Sequence, residues 1–148
     1  MKTILVAVDL SPASSKVLKE AVVLAEALSV NILLLHVIAP VSSAVPVGSS
    51  MEMVSVPLPL SAEEIAEVKA QLDQLAASVA SPKAHIETSV KEGLPFEEIK
   101  HQVETTGASL LVVGSHGHGG LYHLFNGSVV TELLKQAVKP VLVVPAKN

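Results

Sequence analysis

The chain has 148 residues, enough to bury one core without disulfide or metal staples. Hydrophobic residues make up 49% of it, yet there is no Trp, one Tyr and two Phe, so the core must be Val, Leu, Ile and Ala. The lack of cysteine excludes disulfides and thiolate chemistry, and a net charge of −4 argues against a nucleic-acid backbone as partner.

The first apolar run, Thr3–Val8, has β-branched character and stops at Asp9. It is too short for a signal peptide, and no small-residue cleavage pattern follows it. No stretch of the chain reaches the roughly 18 apolar residues of a membrane span, so a cytoplasmic protein is expected. A helical stripe comes next: Val17, Leu18, Ala21, Leu24, Ala25 and Leu28, with Lys16, Lys19 and Glu26 off it. The second strand, Asn31–Ile38, carries His36, whose apolar neighbours mark it as a satisfied, partly buried histidine. Residues Ala39 to Leu60 then break the pattern. They contain Pro40, Pro46, Pro57 and Pro59, several serines and a single charge, Glu52. They read as a long loop, either a variable surface insertion or a lid or partner contact.

Ser61 followed by Glu64 is a capping box that opens a second helix through Ile65, Val68, Leu72 and Leu75. A third strand spans His85–Lys91. Pro95 stands in the first-turn position that a helix tolerates, with Phe96, Ile99 and Val103 on one side. A fourth strand, Leu110–Val113, precedes a helix that starts near Ser128 and is expected to bury Val129, Leu133, Leu134 and Ala137. The last strand is Val141–Val144. Strand and helix alternate throughout, with no repeat and no sign of a second domain. Such alternation implies one α/β domain, residues 1–148, with a mostly parallel sheet covered by helices on both faces. Ligands in such folds sit beyond the carboxyl ends of the strands, where the strand order reverses. Asp9 and Gly114 stand at two of those ends.

The stretch from Gly114 to Ser128 carries most of the functional signal. Gly114 and Gly117 are separated by two residues, nine more follow, and Gly127-Ser128 opens a helix. Glycine at a strand exit lets the chain turn sharply and lets a ligand approach without a Cβ in the way. Free N–H groups at a helix start favour an anion, and a serine hydroxyl there can cap the helix or meet a phosphate oxygen. A tight connection alone would also require such glycines. The stretch is no P-loop, lacking its Lys, and no dinucleotide fingerprint, since Tyr122 stands in place of the last glycine.

Gly114-x-x-Gly117, nine residues, then Gly127-Ser128 resembles the ATP-binding signature of the universal stress protein family. Pro140 to Val144, Val8-Asp9-Leu10-Ser11 and His36-Val37 also match that family, and the resemblance runs the full length, weakest across Ala39–Leu60. It implies an adenine-nucleotide α-hydrolase-like fold, an open five-stranded parallel sheet in the order 3-2-1-4-5, and a bound adenine nucleotide. ATP is the first expectation, with ADP, AMP or cyclic AMP as alternatives and Mg or Mn carried by the phosphates. Carried over by motif, Asp9 would face the ribose hydroxyls, the Val37 backbone the adenine edge, and Gly114 the ribose and α-phosphate. Gly117, Gly127, Ser128 and Val129 would offer N–H groups to the phosphates, with Ala7, Val113 and His118 completing the set. A carboxylate pairs well with hydroxyl donors and poorly with phosphates, which suits Asp9 to the sugar. It is equally suited to cap the following helix or to sit in solvent.

One departure from the family has chemical consequences. No Lys or Arg lies between Gly114 and Ser128, and His118 stands where family members often carry a basic residue. Modest affinity for ATP follows, or a preference for fewer phosphates. Protonation of His118 should strengthen phosphate binding as pH falls through about 6.5; equal affinity in acid and alkali would contradict this. His116, His118 and His123 lie close in sequence, but without Cys or a nearby carboxylate they make a poor metal site. No arginine finger and no nucleophile–base arrangement is evident. The expected function is therefore a nucleotide-binding stress regulator rather than an enzyme. A homodimeric scaffold with an empty pocket and a slow ATPase are the alternatives. The family resemblance also suggests a homodimer paired through Val141, Leu142, Val143 and Val144.

Overall fold

A computed structural model describes residues 2–49, 51–115, 127–137 and 139–145. Its elements in chain order are β1 (Thr3–Ala7), α1 (Ser14–Leu28), β2 (Asn31–Ile38), β3 (Val41–Val47), β4 (Glu52–Leu58), α2 (Ala62–Ser78), β5 (Ile86–Glu92), α3 (Pro95–Thr106), β6 (Leu110–Gly114), α4 (Gly127–Lys135) and β7 (Val141–Val144). Five strands form one sheet in the order β5-β2-β1-β6-β7, with every neighbouring pair parallel. With β3 and β4 set aside, this is the order 3-2-1-4-5.

The period of two along each strand divides the core into two layers. Ile4, Val6, Val8, Ile32, Leu34 and Val112 pack beneath α1 and α2, against Val17, Leu18, Ala21 and Leu72. Leu5, Ala7, Leu35, Val37 and Val113 face the other way, toward Ile99, Val103, Val130 and Leu133 of α3 and α4. Strand β1 is thus shut in on both faces, which is why it can be apolar at every position from Ile4 to Ala7.

The helix signals locate the helices well and their faces less well. Ser61 Oγ accepts from the Glu64 N–H at 3.1 Å, and Glu64 Oε2 accepts from the Ser61 N–H at 2.9 Å, completing the capping box. Pro95 opens α3. In α1, however, Val22 is buried and Leu28 is 59% exposed. In α4, Val130 and Leu133 are buried, whereas Leu134 and Ala137 are exposed. Leu134 stands beside the buried stripe of α4, whereas Leu28 is the last residue of α1 and Ala137 lies past the end of α4.

The larger correction concerns the long segment after β2. It is no structureless loop: Val41–Val47 and Glu52–Leu58 pair antiparallel as a two-stranded ribbon. Its prolines are compatible with strands because a two-stranded ribbon has two outer edges, where a missing N–H breaks no ladder bond.

Leu72 is the only residue of α2 that is fully buried. Leu72→Ala should therefore cost about 2–5 kcal/mol in urea unfolding, and Leu28→Ala less than about 1 kcal/mol. Equal losses would contradict these helix faces.

Candidate functional site

The strand order reverses at β1, which lies between β2 and β6, so the chain leaving β1 enters the crevice where such sheets bind ligands. Both ladders end together, at Ala7↔Leu35 on one side and Ala7↔Val113 on the other. One more bond, from the Val8 N–H to the Leu35 carbonyl at 3.0 Å, holds the strand before it turns. Asp9 follows, only 5% exposed. Its Oδ1 accepts from the Ser11 N–H at 2.9 Å and from the Ser14 hydroxyl at 3.2 Å. The first of these is an Asx turn, and the second ties the strand exit to Ser14, the first residue of α1. Leu10, between the two anchors, has φ of 60°, a conformation that costs a branched side chain about 1 kcal/mol or more.

The other half of the carboxylate is unused. Asp9 Oδ2 and Ser11 Oγ are buried and have no hydrogen-bond partner among the described residues. A buried polar atom in this state costs about 1–3 kcal/mol, more when charged. Oδ2 is thus a strong acceptor held at the carboxyl end of β1, awaiting a donor such as a hydroxyl. Of the groups around it, Ser11 enters the sequence reading only within the Val8-Asp9-Leu10-Ser11 match and Ser14 not at all; an Asp followed by Ser two residues on, just before a helix, is the signal that marks the turn.

The remaining candidates have distinct places. Ala7, Val37 and Val113 lie at the same end, but their side chains are buried in the layer under α3 and α4. All three residues, backbone included, are at most 1% exposed. Gly114 ends β6, and a Cβ there would lie 3.2 Å from Val17 Cγ2. Close packing of α1 is thus sufficient reason for this glycine. Gly127 is the first residue of α4, which places Ser128 inside the first turn rather than ahead of it. Val129 packs partly against the core. The first N–H groups of any helix lack an acceptor within it, so Gly127, Ser128 and Val129 bring such donors. Gly117, His118, His116 and His123 lie outside the described residues. No three His, Asp or Glu side chains gather into a metal site among the described residues. A cleft of about 540 Å³ lined by Asn31, Ala76, Lys83 and His85 opens at the amino ends of the strands, away from this crevice.

A sequence model described as the universal stress protein family matches residues 1–145. The chain belongs to the universal stress protein family. It is 34% identical over 144 residues to Universal stress protein YxiE of Bacillus subtilis, covering 95% of this chain and 96% of that protein. Universal stress protein MJ0577 of Methanocaldococcus jannaschii is 32% identical over 82 residues, and this match spans about half of each, 55% of this chain and 51% of that protein. Among solved structures, the fold is similar to the universal stress protein from Archaeoglobus fulgidus in complex with dAMP, with a TM-score of 0.69 at 22% identity, covering 97% of this chain and 98% of that one. It is also similar to a universal stress protein in complex with cAMP, with a TM-score of 0.66 at 20% identity, covering 99% and 98%.

In this member of the family, His36 is built into the strand end. It is 2% exposed, and its Nδ1 lies 2.8 Å from the Val8 carbonyl. A carbonyl only accepts, so Nδ1 carries the proton and donates. In a parallel register the Val8 carbonyl would meet the Val37 N–H. Here it takes the imidazole, and among the described residues no main-chain bond joins Val37 to it. The histidine is therefore satisfied, as its setting in the sequence implies, and more deeply buried than expected. Burial pushes its pKa below the ordinary 6.5, against the opposing pull of the Val8 bond and of the Asp9 charge. The fold thus holds His36 neutral while the unfolded chain protonates it near 6.5. Stability from this group is complete above that pH and is lost as pH falls below it, until the folded value is reached. Melting temperature should therefore drop more steeply between about pH 7.5 and 5 in the wild type than in His36→Asn, which keeps a donor but does not titrate. Identical slopes would contradict this placement of His36.

Proposed function

We propose that the chain holds an adenine nucleotide, ATP before ADP, AMP or cyclic AMP, and acts as a stress-response regulator with slow or no hydrolysis. The Oδ2 of Asp9, buried at the carboxyl end of β1 and without a partner among the described residues, carries this reading. Ribose hydroxyls and the adenine amino group can donate to a carboxylate, while phosphates would be repelled by it; with the base assigned to Val37, the hydroxyls are left for Asp9. The sugar therefore belongs at Asp9, the base beside the Val37 backbone, and the phosphates toward the start of α4. The dAMP and cAMP complexes of similar folds support an adenine nucleotide. Mg or Mn would arrive on the phosphates, since a single carboxylate makes no protein cage for either ion.

Slow or absent hydrolysis follows from what the residues lack. No Lys or Arg between Gly114 and Ser128 can neutralise a departing phosphate. His36 is buried at the strand end and burial pushes its pKa down, which makes it a poor base. His118 remains the group proposed to add pH-dependent charge at the phosphates. A cytoplasmic setting and the absence of a nucleic-acid partner belong to the same proposal. Among the described residues, no helix is long and apolar enough to cross a membrane.

A homodimer paired through β7 is proposed beside it. β7 is an edge of the sheet and reads Val-Leu-Val-Val, whereas the opposite edge, β5, carries Glu87, Lys91 and Glu92. Charges blunt an edge, and their absence leaves β7 open to pairing. A purely scaffolding protein would share that edge and use Asp9 only to tie β1 to α1.

Asp9→Asn separates the two. It keeps an oxygen for Ser11 and Ser14 and replaces the unused acceptor by an amide. Calorimetric titration with ATP should show an affinity about tenfold to a hundredfold weaker, with no loss of melting temperature. Wild-type protein that binds no adenine nucleotide, or a variant that keeps full affinity, would defeat the assignment.

A further inference from the structure

In a parallel sheet the N–H and carbonyl of one residue point to the same side, and successive residues serve opposite neighbours. In β2 the even-numbered residues bond to β5: the Ile32 N–H donates to the His85 carbonyl, and the Ile38 carbonyl accepts from the Gly93 N–H. The odd-numbered residues bond to the β1 side, where Asn31 donates to the Lys2 carbonyl and Leu35 accepts from the Val8 N–H. Val37 therefore turns both its backbone groups toward β1, one step past the end of that ladder. There the chain has already turned away, because Asp9 is tied to Ser11 and Leu10 is left-handed. The Val8 carbonyl is the acceptor that the Val37 N–H would ordinarily find, and it is engaged by His36. Val37 is 0% exposed, and neither its N–H nor its carbonyl has a main-chain partner among the described residues. A buried N–H in that state is rare and costly.

We propose that His36 determines which base the crevice accepts: by engaging the Val8 carbonyl, it keeps the Val37 N–H from extending the ladder. The N–H and the carbonyl of Val37 are thereby held as a donor–acceptor pair for the base. This role rests on the adenine-nucleotide reading above and adds to it the residue that leaves Val37 able to read the base. The pair suits adenine, whose edge sets an acceptor at N1 beside the donor amino group on C6. Guanine has the two reversed, a donor at N1 beside an acceptor at O6, and lying the same way it presents the wrong group to each.

The composition of β2 supports a task of this kind. From Ile32 to Ile38 the strand is Ile, Leu or Val at every position except 36, and an aliphatic residue would fill a buried site there without a polar group to satisfy. With leucine at 36 the Val8 carbonyl would lose its donor, and the nearest N–H in register is that of Val37. The ladder would gain one bond, and the crevice would lose its donor for the base. His36 acts through the carbonyl rather than on the ligand, which makes it a positioning residue.

Calorimetric titration of ATP and GTP into wild type, His36→Leu and His36→Asn tests this. Wild type should prefer ATP by at least about tenfold. His36→Leu should lose that preference, with ATP about tenfold weaker and GTP changed by less than about twofold. His36→Asn, whose amide still donates to the Val8 carbonyl, should restore most of it. A histidine with a structural role alone would weaken both nucleotides alike when replaced. NMR of the nucleotide-free proteins reads the bond itself. A coupling across a hydrogen bond from the Val37 N–H to the Val8 carbonyl should be absent in wild type and present in His36→Leu. That bond in wild type overturns the role of His36 even where the leucine variant does not fold, as does a wild type without preference for ATP. Wild type that binds neither nucleotide removes the proposed function as well, whereas ATP binding with an unchanged preference in His36→Leu removes this role alone.

Discussion

A carboxylate oxygen kept from water without a donor is costly, and among the described residues this fold accepts one at Asp9. The surrounding structure explains how. Strand β1 lies between two helical layers, so the first polar side chain after it emerges where water is scarce. Half of that side chain ties down the turn into α1 through Ser11 and Ser14, and those bonds fix the direction of the other half. His36 holds the neighbouring carbonyl, so the end of β1 is pinned by β2 on one side and by α1 on the other. The left-handed Leu10 between these anchors shows that the geometry is imposed on the backbone rather than preferred by it.

The crevice and the ribbon start from the same strand yet serve different ends. Val37 lies in the last turn of pleat before β2 leaves the sheet, and β3 begins three residues beyond Ile38. The ribbon then stands clear of the body, with its valines turned to solvent. The crevice demands rigidity, and the two helical layers provide it. The ribbon has no such support and draws its order from its own ladder and from whatever covers its face. The β7 edge is a third kind of surface, fully integrated into the sheet and open only along its backbone.

Most of the fold was legible because the sheet is parallel and buried. Runs such as Leu110–Val113 have no other stable setting, and Ser61 with Glu64 announces a helix start through backbone chemistry that needs no tertiary context. The faces of α1 and α4 were less legible. Leu28 and Leu134 are as apolar as their buried neighbours, and only the packing decides which turn meets the sheet. The ribbon was hidden by its prolines, although the alternation of Val54, Val56 and Leu58 was a strand signal in plain sight. At the site, Asp9 and the backbone position of Val37 could be read from the sequence. The parts played by Ser11, Ser14 and His36 depend on contacts across 2 to 28 residues of chain, which periodicity does not reveal. Gly114 carries a double meaning, since the packing of Val17 requires what a ligand would also require.

The central claim is that Asp9 receives sugar hydroxyls. It is tested most directly by comparing the affinities of ATP and 2′,3′-dideoxy-ATP for the unaltered protein. The account predicts that losing both hydroxyls weakens binding by at least about tenfold, since the carboxylate is then buried against a ligand with no donor. Equal affinity for the two nucleotides would contradict it.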